Sequence, residues 1–210
     1  MSIITITDYL SYIPEKKNPL SSDIGIIKGK EFTWLYDVGN GSETLDELSG
    51  IQGKINVILS HFHPDHASNI HKVNFENLYQ GANTKKYTKV GIVPENHLII
   101  EDGVKLHFFD IPAAHAKGCL GLEVNDEYVF VGDSTYPGYK PTHMYFNTGF
   151  LKEQINIFEK LKGDKFIISH QFGHIQSKEE VLSRLKHIYD KRDPKSPFID
   201  AGSYAKLYKK

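Results

Sequence analysis

Three histidines and one aspartate fall within seven residues of this chain, in the segment SHFHPDH at positions 60–66. The segment directly follows INVIL, an apolar run typical of a buried strand. Unpaired polar groups are costly in such surroundings. His61 and His63 are two residues apart, so in an extended segment both rings project to the same side, as two ligands of one ion require. This clustering favours a metal site over a solvated loop.

The residues after His63 extend the ligand set in a different direction. Pro64 is expected to end the strand, so that the chain turns and presents Asp65 and His66 at a slightly displaced point, with a helix opening from Ala67. Two neighbouring ligand sets suggest two metal ions.

Two complete sites need more ligands than this segment offers, and the sequence supplies three further candidates. His115 follows the apolar strand VKLHFFDI, Asp133 follows EYVFV, and His170 follows KFIIS. Strand ends are where a packed scaffold can direct side chains into one shared cleft. We therefore expect these three residues to join the first four.

The order HFHPDH, then His115, Asp133 and His170, resembles the H-x-H-x-D-H, His, Asp, His pattern of the metallo-β-lactamase superfamily. The resemblance extends from about Asp37 to His170 and fills all seven ligand positions. It implies a four-layer αββα sandwich of two mixed sheets flanked by helices. It also implies a sorting of the ligands: His61, His63 and His115 for one metal, Asp65, His66 and His170 for the other, and Asp133 as the bridge.

A site of this kind activates water. A divalent metal lowers the pKa of bound water from about 15.7 to about 7, and two ions roughly 3.5–4 Å apart can share a hydroxide. Imidazole and carboxylate ligands suit Zn²⁺ best, and Mn²⁺ or Fe²⁺ can occupy the same ligands. The predicted function is a dinuclear hydrolase whose bridging hydroxide attacks an ester, lactone or thioester carbonyl of a small molecule.

Two residues are candidates for catalytic roles beside the metals, Asp65 and Tyr136. Tyr136 follows Asp133 by three residues, and its phenol could donate to the developing oxyanion. The alternative is that Tyr136 only packs under the cleft. The same spacing resembles the acyl-homoserine lactone lactonases, although the segment PGYKPTHMYFN after it matches no pattern of that branch.

Other branches of the superfamily fit less well. Glyoxalase II enzymes share the seven ligands, but their helical C-terminal extension has little room after His170. The best-known β-lactamases carry a cysteine where this chain has Asp133, which argues against antibiotic hydrolysis. A phosphodiesterase or nuclease remains open, since two metals also handle phosphoryl transfer. A mononuclear-iron oxidoreductase, such as a persulfide dioxygenase-like enzyme, would leave the second ligand set without a role.

Several other residues have two interpretations each. Asp37 either accepts a histidine N–H behind the metals or forms a turn before Gly-Asn-Gly. Cys119 is expected to be a buried structural thiol. His143 and His174 could line the cleft, although a lone histidine is more often a surface residue. Substrate choice is expected to lie in the loops 81–97 and 134–150.

Composition sets the wider limits. The chain has 210 residues, of which 40% are hydrophobic and 24% charged. This length and composition predict one globular domain over residues 1–210. The formal net charge of −1 gives no electrostatic reason to expect a nucleic-acid or membrane partner. The single cysteine and the absence of a signal-peptide pattern predict a cytoplasmic protein.

The sequence predicts two blocks of strands, with helices outside them, as the elements that position these residues. The first block is IITIT, DIGIIKG, EFTWLYDVG and INVILS, with a helix capped by Ser42 before the last of them. The second comprises FENLYQ, HLIIE, VKLHFFDI, LGLEV, EYVFVG and KFIISH, with a turn at Asn125-Asp126. Helices are predicted over 147–162 and after Ser177, where Glu180 completes a capping box.

Overall fold

The computed structural model of the protein describes residues 3–141, 143–171 and 175–202. Its strands are, in chain order, β1 (Ile4–Thr5), β2 (Leu10–Ile13), β3 (Lys16–Lys17), β4 (Leu20–Ser21), β5 (Ile24–Lys28), β6 (Phe32–Tyr36), β7 (Lys54–Leu59), β8 (Asn77–Gln80), β9 (Ile99–Glu101), β10 (Lys105–Ile111), β11 (Cys119–Val124), β12 (Tyr128–Gly132), β13 (Gly138–Lys140), β14 (His143–Asn147), β15 (Lys165–Ile168), β16 (Gln176–Ser177) and β17 (Phe198–Asp200). The helices are α1 (Ser42–Ser49), α2 (Pro64–Ala67), α3 (Ala82–Thr88), α4 (Thr148–Lys160) and α5 (Lys178–Asp190). None of these helices is long and apolar enough to cross a bilayer.

Two six-stranded sheets form the body of the protein. The first has the order β1-β2-β5-β6-β7-β8 and the second the order β16-β15-β12-β11-β10-β9. Most neighbouring strands are antiparallel, but β6, β7 and β8 run parallel, and so do β12 and β15. Both sheets are therefore mixed, as predicted. The segment FENLYQ, predicted with the second block of strands, instead forms β8 at the edge of the first sheet, where it pairs in parallel with β7.

Three apolar cores separate four layers of structure. Successive side chains of a strand point to opposite faces of its sheet, so each sheet contributes to two cores. In β10, for example, Leu106 and Phe108 pack with Trp34 and Ile58 of the first sheet, in the core between the sheets. Phe109 and the rest of the opposite face of the second sheet pack against α4 and α5. The outer face of the first sheet packs against α1 and the segment that follows α2. The predicted αββα sandwich is thus confirmed.

Most of the helix caps and turns predicted from local sequence signals are present in the structure, but one helix cap is not. The Ser177–Glu180 capping box is present at the start of α5, and Asn125 and Asp126 both have positive φ, as a tight hairpin turn between β11 and β12 requires. The predicted cap of α1 is wrong: Ser42 is the first helical residue, and Gly41, with φ +83°, occupies the cap position without a side-chain hydrogen bond.

Two further boundaries differ from the prediction. Only Ile4–Thr5 of the segment IITIT is paired as a strand. The helix after the histidine cluster starts at Pro64 rather than at Ala67, with proline at a first-turn position where its missing N–H is no loss.

The two loops expected to govern substrate choice contain regular structure. The stretch 81–97 includes α3, and the stretch 134–150 includes β13 and β14, which form a small three-stranded sheet with β17. This small sheet places Tyr139 and Met144 beside the candidate site.

Candidate metal centre

The first candidate ligands directly follow the end of strand β7. The strand ends at Leu59, and Ser60 and His61 remain fully buried beyond it. The backbone then turns into the single helical turn α2, where the His66 N–H donates to the carbonyl of His63 at 3.0 Å. The turn carries Asp65 and His66 to the side of the first two histidines, so one continuous segment serves two groups of ligands.

His61, His63 and His115 form the first group. One ring nitrogen of each lies within 4.8 Å of the others. The ring centres are 4.5 Å apart for His61 and His63, 4.7 Å for His63 and His115, and 5.2 Å for His61 and His115. Three imidazoles that converge in this way can hold one divalent ion.

Asp65, His66, Asp133 and His170 form the second group, with ligand atoms again within 4.8 Å of one another. His170 Nε2 lies 3.1 Å from Asp65 Oδ2, and His66 Nε2 lies 3.6 Å from the same oxygen. His66 and Asp133 are buried, whereas Asp65 and His170 are partly exposed to the pocket. Two imidazoles and two carboxylates can hold a second divalent ion.

The Asp133 carboxylate faces both groups. Its Oδ2 lies 3.3 Å from His115 Nε2 in the first group. The same oxygen lies 3.4 Å from His66 Nε2 and 3.8 Å from His170 Nε2 in the second. Asp133 stands at the position of a bridging ligand.

Orphaned polar atoms provide a test of whether metal ions fit here. Buried polar groups in native proteins almost always have hydrogen-bond partners. At this centre His61 Nε2, His66 Nε2, His115 Nε2 and Asp133 Oδ1 are buried and have no hydrogen-bond partner among the residues that the structure describes. Each is a ligand-type atom directed into the same space, so the donor set fits a dinuclear metal centre.

The opposite ring nitrogens are held in place by hydrogen bonds, which decide which nitrogen faces the centre. In the first group, Nδ1 of His61 lies 3.0 Å from Ser60 Oγ and Nδ1 of His115 lies 3.3 Å from the carbonyl of Pro137. In the second group, Nδ1 of His66 lies 2.8 Å from Asp37 Oδ2. Because Nδ1 makes the contact in all three rings, Nε2 of each ring faces the centre.

Of the two interpretations of Asp37, the structure supports the contact with a histidine behind the centre. Its carboxylate accepts from Ser60 N–H and Ser60 Oγ, both at 2.8 Å, and contacts Nδ1 of His66. Its φ is +69°, but no turn is assigned at this position.

The electrostatics favour a cation. Burial lowers the pKa of His61 well below its usual value, and its histidine neighbours add to this. Burial would also lower the pKa of His66, but the carboxylates of Asp133 and Asp37 raise it well above the usual value. Burial opposes ionisation of Asp133, yet the neighbouring His66 holds its pKa well below the usual value. A divalent ion would take the place of the shared protons.

A pocket of about 550 Å³ opens above the two groups. Its floor contains ligand-type side chains of both groups. Its walls are largely apolar. The wall residues are Leu20, Tyr136, Pro137, Tyr139 and Met144.

Tyr136 lies in this pocket with its ring centre 6.1 Å from that of His115. Its hydroxyl donates to the carbonyl of Ser169 at 2.9 Å and accepts from Gln171 Nε2 at 3.0 Å. The oxyanion role of Tyr136 stays a prediction, and it requires the hydroxyl to exchange the Ser169 carbonyl for the substrate.

Two carboxylates at the second group were not predicted. Glu15 Oε2 lies 3.0 Å from His170 Nδ1, and Asp23 Oδ2 accepts from the His170 N–H at 2.9 Å. The sequence gives no signal for either residue, because each is about 150 positions away from His170 along the chain.

Cys119 and His143 lie outside the pocket lining. Cys119 is buried at the start of β11, where its Sγ donates to the carbonyl of Ala116 at 3.3 Å, as expected for a structural thiol. His143 is exposed on β14 with its ring 6.2 Å from that of Tyr145. His174 lies outside the described residues.

Solved structures with similar folds have low sequence identity to the chain. A B3 metallo-β-lactamase with an active-site glutamic acid superposes with a TM-score of 0.70 at 12% identity, over 91% of this chain and 90% of its own. A metallo-β-lactamase from Cronobacter sakazakii gives 0.70 at 13% identity, over 91% and 88%. A flavo di-iron protein variant from Thermotoga maritima gives 0.65 at 14% identity, and there the match spans 89% of this chain but 55% of that one.

No family model matches the sequence of the chain, and no curated protein matches it. At these levels of identity the structural neighbours establish the fold alone. The chain has the metallo-β-lactamase fold that its ligand motif predicts.

Proposed function

We propose that the protein is a dinuclear metal-dependent hydrolase that cleaves an ester, lactone or thioester of a small molecule. The observation that carries the proposal is the pair of ligand groups that Asp133 Oδ2 approaches together, with four buried ligand-type atoms that have no hydrogen-bond partner in the described part of the chain. The first ion would be held by His61, His63 and His115, and the second by Asp65, His66 and His170.

Bound divalent ions supply Lewis acidity and make water nucleophilic near neutral pH. The chain's own residues supply the rest. Asp65, the partly exposed carboxylate of the second group, would accept a proton from the attacking water at Oδ1 or Oδ2. The Tyr136 hydroxyl would leave the carbonyl of Ser169 and donate a hydrogen bond to the developing oxyanion. Gln171 Nε2, which donates to the same hydroxyl, strengthens that donor.

The pocket supports a neutral substrate. Its described lining residues include no lysine or arginine that could pair with a phosphate or a carboxylate. Leu20, Tyr139 and Met144 offer apolar surface next to the ligand groups. This apolar lining suits a carbonyl compound with an apolar substituent, whereas a phosphodiester would have only the proposed ions as cationic partners.

Elemental analysis of the purified protein, combined with a hydrolysis screen, tests the proposal. We expect two equivalents of Zn²⁺ or Mn²⁺ and cleavage of lactones, esters or thioesters, with activity lost to a chelator and restored by Zn²⁺. The Asp190→Ala variant, which changes an exposed carboxylate at the end of α5, should retain both equivalents. One equivalent of iron would favour a mononuclear oxidoreductase, and phosphodiester cleavage alone would favour a nuclease or phosphodiesterase.

A further inference from the structure

The segment from Glu15 to Asp23 reaches across the fold to the second ligand group. It contains the short hairpin of β3 and β4, and it contacts that group at two points. The Ser22 N–H donates to the carbonyl of Asp65 at 2.8 Å, and Glu15 and Asp23 both contact His170. One segment near the start of the chain therefore borders two ligands that are far apart in sequence.

The backbone of His170 needs such support. Its φ is +63°, in the left-handed region that a non-glycine residue adopts only when its surroundings hold it there. The buried Asp23 carboxylate accepts from the His170 N–H with Oδ2 and from the Glu15 N–H with Oδ1, at 2.9 and 3.0 Å. A single carboxylate thus fixes the backbone of His170 and the backbone of the residue that holds its ring.

The ring of His170 is held differently from the rings of the first group. Its Nδ1 contacts a carboxylate, Glu15, and Nδ1 of His66 contacts the carboxylate of Asp37. In the first group, Nδ1 of His61 contacts the Ser60 hydroxyl and Nδ1 of His115 contacts the Pro137 carbonyl, and both of these partners are neutral. A carboxylate behind an imidazole orients the ring and makes its other nitrogen a stronger ligand.

We propose that Glu15 and Asp23 are positioning residues that hold His170 as a ligand and thereby set the affinity of the second group for its ion. The inference rests on the proposed function, because it assumes that the second group binds a metal. Glu15 orients the His170 ring and Asp23 fixes the His170 backbone, while the first group does not depend on either.

A double-mutant cycle measures the Glu15 contribution. Zn²⁺ affinity is measured by competition with a chromophoric chelator for the unmodified protein, Glu15→Ala, His170→Ala and the double variant. We expect Glu15→Ala to weaken one of the two Zn²⁺ ions about 10–100-fold, and to have no further effect when His170 is already alanine. Glu15→Gln, which keeps an acceptor for Nδ1 but not its charge, should lose less than Glu15→Ala.

The matched control is Glu31→Ala, which removes an exposed glutamate that pairs with Lys54 away from the site. It should bind both ions with unchanged affinity. Equal weakening of both ions by Glu15→Ala, or the same loss with and without His170, would overturn the positioning role. If Glu15→Ala does not fold, the same cycle with Glu15→Gln decides the question.

The Asp23 contribution can be measured without metal. Amide hydrogen exchange of the metal-free protein should show faster exchange at the His170 amide in Asp23→Ala, which removes both acceptors, than in the unmodified chain, with little change in the peptides of α4. Unchanged exchange at His170 would show that Asp23 does not hold this backbone.

These measurements separate the two proposals. If the unmodified protein binds fewer than two ions, the proposed function fails, while the exchange experiment still tests the role of Asp23. If it binds two ions and hydrolyses a carbonyl substrate, but Glu15→Ala binds both as tightly, only the positioning role fails.

Discussion

The carboxylate of Asp37 lies 2.8 Å from Nδ1 of His66, and both side chains are fully buried. The same carboxylate accepts two hydrogen bonds from Ser60, so its removal leaves three donors in the core without an acceptor. We expect Asp37→Ala to reduce the free energy of unfolding by about 3–5 kcal/mol, as breaking a buried charged pair does, measured by urea denaturation.

Asp37→Asn tests the orientation of the His66 ring. An asparagine can satisfy Ser60, but it then places an NH₂ toward Nδ1 of His66 and favours the tautomer with the proton on Nε2. Because Nε2 faces the ligand group, we expect metal affinity to fall about 10–100-fold in a chelator competition. Asp46→Asn on the exposed face of α1 is the control, and equal affinities for the two variants would contradict the tautomer argument.

Asp133→Ala tests the bridging position. Since Oδ2 of Asp133 approaches both ligand groups, we expect bound metal to drop from two equivalents and turnover to be abolished. Elemental analysis after dialysis measures the first, and an assay on the best substrate of the screen measures the second. Retention of two equivalents would refute the bridging assignment.

Tyr136→Phe separates catalysis from packing. If the phenol donates to the oxyanion, kcat should fall about 10²–10³-fold with both metals retained, because the ring still fills its place. If the hydroxyl only donates a hydrogen bond to the carbonyl of Ser169, the fold-change in kcat should be no larger than the fold-change in metal affinity. Steady-state kinetics and metal analysis of the same preparation distinguish the two results.

Glu123 provides a pH prediction remote from the metal centre. Burial would raise its pKa, but hydrogen bonds from His107 and from the N–H groups of Gly163 and Lys162 lower it below the ordinary 4.5. A depressed pKa in the folded state stabilises the fold above the unfolded pKa, and this contribution is lost as the pH falls through the folded value.

We therefore expect Glu123→Gln to reduce the free energy of unfolding by about 1–3 kcal/mol at pH 7. The difference from the unmodified protein should shrink as the pH drops below about 4.5. Urea denaturation at both pH values measures it, with Glu153→Gln on the exposed face of α4 as control. A difference that persists unchanged in acid would show that the Glu123 charge contributes nothing.

The candidate ligands could be predicted from the sequence because each one follows an apolar strand, and strand ends can be recognised from local pattern alone. The structure gathers the seven residues into two groups that could each hold a metal ion. Glu15 and Asp23 could not be predicted, since nothing local to either residue indicates a contact with His170. Their contacts with His170 form only when the segment from Glu15 to Asp23 folds against the residues that follow β15.

Two segments predicted as loops contain regular structure that the local sequence does not indicate. Helix α3, with the sequence ANTKKYT, has no apolar periodicity that would distinguish it from a loop. Strands β13 and β14 come from the segment PGYKPTHMYFN, whose two prolines and glycine favour turns over strands. Both become regular through tertiary contacts rather than through intrinsic preference.

The two ligand groups draw on both sheets, and this has a consequence for how the protein is made. The first group takes two residues from the end of β7 and one from the connection after β10, while the second combines the turn after β7 with residues that follow β12 and β15. A ribosome that has released only the first sheet has therefore released neither group complete. If the ions bind as proposed, the first can be acquired only after residue 115 emerges and the second only after residue 170, so metal acquisition is a late step in the biogenesis of this chain.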